Sequence, residues 1–162
     1  GTNNENHVIK YYESIINKNI ITTNDFFSKE LFKNDNYTWY LGGKVDGIFI
    51  NDDNEKVLLE VKNRVKKLFY TLRAYEKVQI YAYMLLLETN KAKLIECLKN
   101  NKSEFNTIDV NFEQDFFEKK ILKYLESFID LFELIMESDK LKIKLLTSEK
   151  SDIEDWLKKA IY

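Results

Sequence analysis

A mixed α/β fold, with a central sheet flanked by helices in the order α-β-β-β-α-β and further helices at the C-terminus, is what the sequence predicts. Three observations predict it. Apolar residues recur at helical spacing near the N-terminus, in the middle of the chain and across its last third. Residues 37–62 instead carry β-branched and aromatic runs, broken by Gly42-Gly43 and by the turn cluster Asn51-Asp52-Asp53-Asn54. A chain of 162 residues, 44% apolar and 32% charged, can bury the core of one domain and is not a disordered polymer.

In chain order, residues 4–18 place Val8, Tyr11, Tyr12 and Ile15 on one helix face, with Thr2 or Asn3 as the cap. Residues 19–36 are polar around Asp25-Phe26-Phe27 and Leu31-Phe32 and read as a short helix or turn-rich connection. YTWYLGGKVDGIFI and KVLLEVK read as antiparallel strands joined by a hairpin at the Asp/Asn cluster. Residues 70–88 return to helical spacing, with Val78, Tyr81, Ala82, Leu85 and Leu86 as the face that packs on a sheet. Residues 91–98 form a strand and 105–110 one more. A long helix over 112–138 carries the stripe Phe117, Ile121, Tyr124, Leu125, Phe128, Phe132 and Ile135, which is core or an oligomer interface. Ser151 with Glu154 reads as a capping box that opens a last helix at 152–161. There is no internal repeat and no linker, so one domain over 1–162 is expected.

Composition narrows the function. The single cysteine, Cys97, excludes a disulfide scaffold, a Cys-rich zinc site and a four-Cys iron–sulfur cluster, and it reads as a packed thiol. No apolar run reaches the ~18–20 residues of a membrane span, and no secretory signal opens the chain, so an intracellular protein with no membrane partner is expected. There is no P-loop and no glycine-rich dinucleotide fingerprint. With His7 the only histidine, there is no Ser/His/Asp set either.

The hairpin carries the chemistry. Side chains alternate along a strand, so Glu60 and Lys62 share one face while Leu59 and Val61 point the other way. If Asn51 lies opposite Glu55, paired residue numbers sum to 106 and Asp46 faces Glu60. Directly opposed carboxylates, with Cβ atoms ~4.5–5.5 Å apart, repel unless a cation sits between them. Asp46 and Glu60 are therefore expected to clamp a divalent metal beside Lys62. Oxygen ligands without a Cys/His cluster favour Mg²⁺ or Mn²⁺. Gly47 is expected to let backbone and substrate approach closely. The alternative for Glu60 and Lys62 is a solvated strand face bearing an ordinary ion pair.

GGKVDGIFI, a turn, VLLEVKNR and then a helix carrying Gln79 and Tyr83 resemble the PD-(D/E)xK nuclease superfamily. Gly1-Thr2-Asn3-Asn4-Glu5 with the following helix resembles the G-T-x-x-E opening of its YqaJ and lambda-exonuclease-like viral recombination exonucleases, within the RecB-like group. The resemblance spans residues 1–88. It implies a restriction-endonuclease-like core and a Mg²⁺- or Mn²⁺-dependent deoxyribonuclease, with an exonuclease acting on double-stranded DNA ends in recombination or repair as the reading for this chain. Asp46, Glu60, Lys62 and Gln79 would be catalytic. Glu5, Asp46, Glu60 and the Val61 carbonyl would hold the metal, with His7 as an alternative ligand. Gln79 would orient the water or Lys62; without the resemblance it would simply satisfy a polar edge of the core. Glu13 reads as a solvated helix residue. Residue 1 is Gly rather than Met, as in a fragment lacking N-terminal elements. The oligomeric state is left open.

The net charge of −2 hides an asymmetry. Residues 61–73 hold five cations and no acid, and both arginines of the chain lie there. Arg64, Lys66, Lys67 and Arg73 are expected to meet phosphates, and Tyr70 to stack on a base. Two other readings compete: a catalytically silent nuclease-fold module that binds nucleic acid, and a scaffold acting through the 112–138 helix.

Overall fold

The run from Val57 to Val61 lacks the in–out alternation of a strand with one wet face, because both of its faces are covered. The computed structural model describes residues 3–99 and 101–161. Thr2, one of the two candidate caps, and Gly1 and Thr2 of the opening motif lie outside the described residues. The chain divides into two compact units, residues 1–112 and 113–162.

In the first unit the order is α1 (Asn3–Ile16), β1 (Phe27–Lys33), β2 (Thr38–Gly43), β3 (Gly47–Ile50), β4 (Lys56–Arg64), α2 (Ala74–Leu87), β5 (Lys91–Leu98) and β6 (Asn101–Asn111). β3-β4-β5-β6 form a mixed sheet, antiparallel at both ends and parallel between β4 and β5. The parallel step needs a crossover, and α2 supplies it. Val57, Leu59 and Val61 join Val8, Ile9 and Tyr12 of α1 in one buried cluster. The even residues of β4 face the side that α2 covers.

The hairpin register is the expected one. Gly47 pairs with Leu59, Ile48 with Leu58, Phe49 with Val57 and Ile50 with Lys56. The Asn51 N–H donates to the Glu55 carbonyl at 3.0 Å and closes the turn.

Four expectations about elements are corrected. Residues 27–33 form a strand, not a helix or connection: β1 pairs with β2 in a separate two-stranded sheet, with an irregularity between Glu30 and Phe32. Ser28, Glu30 and Lys33 are exposed while Lys29 is half-buried with Phe27 and Leu31, and pairing with β2 stabilises the strand more than its own propensity does. On α2 the buried residues are Glu76, Ile80, Tyr81, Met84 and Leu87, whereas Val78 is exposed. On α1 they are Val8, Ile9 and Tyr12, with Tyr11 and Ile15 exposed, so the inward face is turned toward Glu5. Gly47 makes room for protein rather than substrate: a Cβ there would stand 2.7 Å from the Ile20 Cγ2.

The second unit is helical. α3 (Gln114–Phe117), a π-helical turn (Glu118–Leu122) and α4 (Lys123–Glu137) run on without leaving helical backbone angles. They account for most of the expected long helix. Phe128 and Phe132 of its stripe are exposed, with ring centroids 6.0 Å apart. An additional helix, α5 (Asp139–Thr147), is capped by Ser138, whose Oγ accepts from the Leu141 N–H at 3.3 Å. α6 (Lys150–Ile161) starts before the expected capping box, so Ser151 lies inside its first turn. Among the described residues, no helix is long and apolar enough to cross a membrane.

Candidate active site

β4 runs five residues beyond its last partner on β3, and the open edge there builds the site. The ladder ends at Gly47–Leu59, and Asp46 lies in the bend just before β3. Asp46 therefore does not pair with Glu60 as a ladder residue. Its Oδ2 accepts from the Val61 N–H at 2.8 Å, filling the place of the next ladder bond. A strand residue projects its N–H and C=O from the same edge, so the Val61 carbonyl shares the edge that Asp46 guards.

Glu60 and Lys62 share a face, as their parity requires. The Lys62 Nζ donates to the Glu60 Oε1 at 2.6 Å and to the Gln79 Oε1 at 2.8 Å. The Gln79 Nε2 donates to the Tyr83 hydroxyl at 3.2 Å. That chain fixes the Gln79 amide with its oxygen toward the ammonium. Tyr83 can come this close because Gly43 has no side chain: a Cβ there would stand 2.6 Å from the Tyr83 ring.

The electrostatics are strained. Glu60 is only 3% exposed. Burial pushes its carboxyl up to about 7, the charges of Asp46 and Glu5 add to the rise, and Lys62 opposes it. Burial also raises Asp46, against the Val61 N–H, with Glu5 adding. Glu5 lines an open cleft with Asp46, Asn6, Ile9 and Lys44. His7, two residues on, points away on the helix and is exposed. The structure thus brings Glu5, and not His7, toward the pair of acids.

The donors fit a hard divalent ion in type: two carboxylates and a strand-edge carbonyl. Among the described residues, no three His, Cys, Asp or Glu side chains form a metal-sized group. Mg²⁺ is commonly held by one or two carboxylates with water and phosphate oxygens completing the shell, so Asp46 and Glu60 would have to hold it as a pair. Two raised carboxyls that share one lysine are also short of positive charge.

One consequence is measurable without substrate. In the unfolded chain Glu60 loses its proton near 4.5, whereas folded and metal-free it keeps it to about 7. Between those values the unfolded chain binds fewer protons, so stability falls as pH rises. The loss is on the order of 3 kcal/mol. Urea midpoints in EDTA are expected to fall from pH 4.5 to 7.5 and to flatten in Glu60→Gln. An unchanged wild-type midpoint over that range would contradict the assignment.

The basic stretch does not behave as one patch. Arg64 is only 8% exposed, so its guanidinium is largely shielded from solvent. Its NH1 and NH2 donate to the two Glu76 oxygens at 2.6 and 3.2 Å, and its Nε donates to the Glu96 Oε2 at 3.0 Å. The expectation that Arg64 meets phosphates is corrected: an arginine so buried is a structural ion-pair partner. Glu76 and Glu96 are wholly buried. Their partners, Arg64 foremost among the side chains, hold both below the usual carboxylate range despite burial. Lys66, Lys67 and Tyr70 are exposed. Arg73 is partly exposed, its guanidinium carbon 3.4 Å from the Phe69 ring centroid. The buried thiol of Cys97 lies 3.2 Å from the Asn63 Oδ1.

Sequence reasoning missed Glu76 and Glu96. The available signals were Glu76 one helical turn before Gln79 and a lone acid in KAKLIECL. Glu13 was also misread: its Oε1 accepts from the Ile20 N–H at 2.7 Å and fastens the chain after α1.

No protein-family model matches this sequence, and no curated protein matches it. Solved structures do. An alkaline exonuclease (LHK-Exo) from Laribacter hongkongensis superposes with a TM-score of 0.60 at 13% identity, covering 88% of this chain and 72% of that one. The fold is exonuclease-like. The crystal structure of SSO0001 matches with a TM-score of 0.57 at 18% identity, over 78% of this chain and 57% of that one. This chain therefore spans little more than half of that protein.

Proposed function

We infer that this chain is a metal-dependent DNA nuclease of the PD-(D/E)xK type, hydrolysing phosphodiester bonds at DNA ends in recombination or repair. One observation carries the reading: Lys62 is held between the Glu60 carboxylate and the Gln79 amide, 2.6 and 2.8 Å away, beside a second buried acid, Asp46. A plain surface ion pair needs neither the burial nor the amide. Similarity in fold to an alkaline exonuclease supports the same direction.

Asp46, Glu60 and the Val61 carbonyl would hold Mg²⁺ or Mn²⁺, with Glu5 supplying further negative charge. A bound ion would supply Lewis-acid stabilisation of the phosphoryl oxygens and a more acidic water. Lys62 donates to the attacking oxygen and stabilises the charge that develops on it. Gln79, braced by Tyr83, keeps the Lys62 ammonium from swinging onto Glu60 alone. Asp46, tied to the Val61 N–H, holds the open strand edge in register.

A silent nuclease-fold binding module is the competing reading, and the lack of a three-acid group among the described residues favours it. Digestion of linear and circular duplex DNA across Mg²⁺ and Mn²⁺ concentrations separates the two. Metal-dependent shortening of the linear DNA is expected. Binding without cleavage of any DNA end, with either metal, would leave the silent module.

A further inference from the structure

The segment 65–73, between β4 and α2, is not a slack connection. Glu96 is the register partner of Lys62 on the neighbouring parallel strand, so its side chain lies on the same side of the sheet. It is wholly buried. Besides Arg64, it accepts from the Phe69 N–H at 3.0 Å and the Tyr70 N–H at 2.6 Å, and from the Asn106 Nδ2 at 3.2 Å. One buried carboxylate thus grips the loop by two successive backbone amides. Arg64 ties Glu96 to Glu76 at the start of α2, one turn from Gln79.

What this grip presents is unusual. Tyr70 is held at φ 58°, the left-handed region that residues with a Cβ avoid. Tyr70 is 64% exposed, and Val65 is 73% exposed. Lys66 and Lys67 flank them in solvent. Folding holds an exposed aromatic residue in a disfavoured conformation on the loop that follows Lys62, eight residues along the chain. Strain fixed by the surrounding structure is a mark of preorganised sites.

We propose that the 65–73 loop is a preorganised platform for an unpaired nucleotide, with Tyr70 stacking on its base, Lys66 and Lys67 meeting its phosphates, and Glu96 as the positioning residue. The inference rests on the nuclease reading above. Bases inside a duplex have both faces covered by their neighbours, so only a terminal or unstacked base offers a face to Tyr70. The preferred substrate is therefore a frayed or single-stranded end. Exposed stacking of this kind tolerates any sequence.

The test uses the full chain and an oligonucleotide with 2-aminopurine as its unpaired terminal base. Its emission is expected to drop on binding to the wild type and to Tyr70→Phe, but not to Tyr70→Ala. In Tyr70→Ala the KM for single-stranded ends should rise roughly tenfold, the scale of one lost base stack, with kcat nearly unchanged. Glu96→Gln should raise KM likewise with the ring still present, whereas a merely structural defect would lower the active fraction and so kcat. Equal quenching and KM in wild type and Tyr70→Ala, with the wild type cutting DNA, would overturn the platform and leave the nuclease reading standing. A wild type that cuts no DNA would overturn that reading first, and the platform with it.

Discussion

Lys62→Ala is expected to lower the rate of DNA cleavage by roughly 10²- to 10⁴-fold, the range for a lost charge-stabilising or proton-transfer group, with the fold intact. The ammonium donates to both Glu60 and Gln79, and 22% of its side chain is exposed, so it can be removed without opening the core. Its loss acts twice. On the proposed mechanism the attacking oxygen would lose its donor, and Glu60 would lose the cation that opposes its rise. A protonated Glu60 is a poorer metal ligand, so the apparent metal requirement should rise as well. Initial rates across Mn²⁺ concentrations, with circular dichroism to confirm folding, measure both effects. A folded variant that cuts at the wild-type rate would remove Lys62 from the mechanism.

Arg64→Leu is expected to cost about 3–5 kcal/mol, the range for breaking a buried ion pair from one side. A typical domain has only about 5–15 kcal/mol in total. The size follows from what is left behind: Glu76 and Glu96 are both wholly buried, and each would lose its arginine. Arg64→Lys should recover little, because one ammonium cannot serve two Glu76 oxygens and Glu96 together. The acids are held below their usual range, so the network's contribution is present above about pH 4.5 and is lost as pH falls through the folded values. Urea unfolding at pH 7 measures the loss. A shift under about 1 kcal/mol, the value of an exposed pair, would contradict it.

The contrast between these two residues shows what the sequence could convey. Glu60, Lys62 and Arg64 have one parity, and the hairpin register followed from a local turn, so their common face was legible. Which of them would be covered depended on Glu76 and Glu96, whose approach is set by the α2 crossover and the β4–β5 register. No local pattern carries that information, so Arg64 read as a free cation. β1 was missed because Lys29 and Glu30 interrupt its apolar pattern and its stability comes from β2. The inward face of α1 was displaced by about one residue, yet Glu5 could still be picked out, through a resemblance rather than through periodicity.

Asp46 and Glu60 are proposed to form a divalent metal site beside Lys62. A calorimetric Mn²⁺ titration of the wild type against Asp46→Asn tests it most directly. A saturable site is expected in the wild type, tightening as pH rises through about 7 where Glu60 loses its proton, and weakened by at least tenfold in Asp46→Asn, as for loss of a carboxylate ligand. No heat of binding in the wild type, or the same affinity in both proteins, would contradict it.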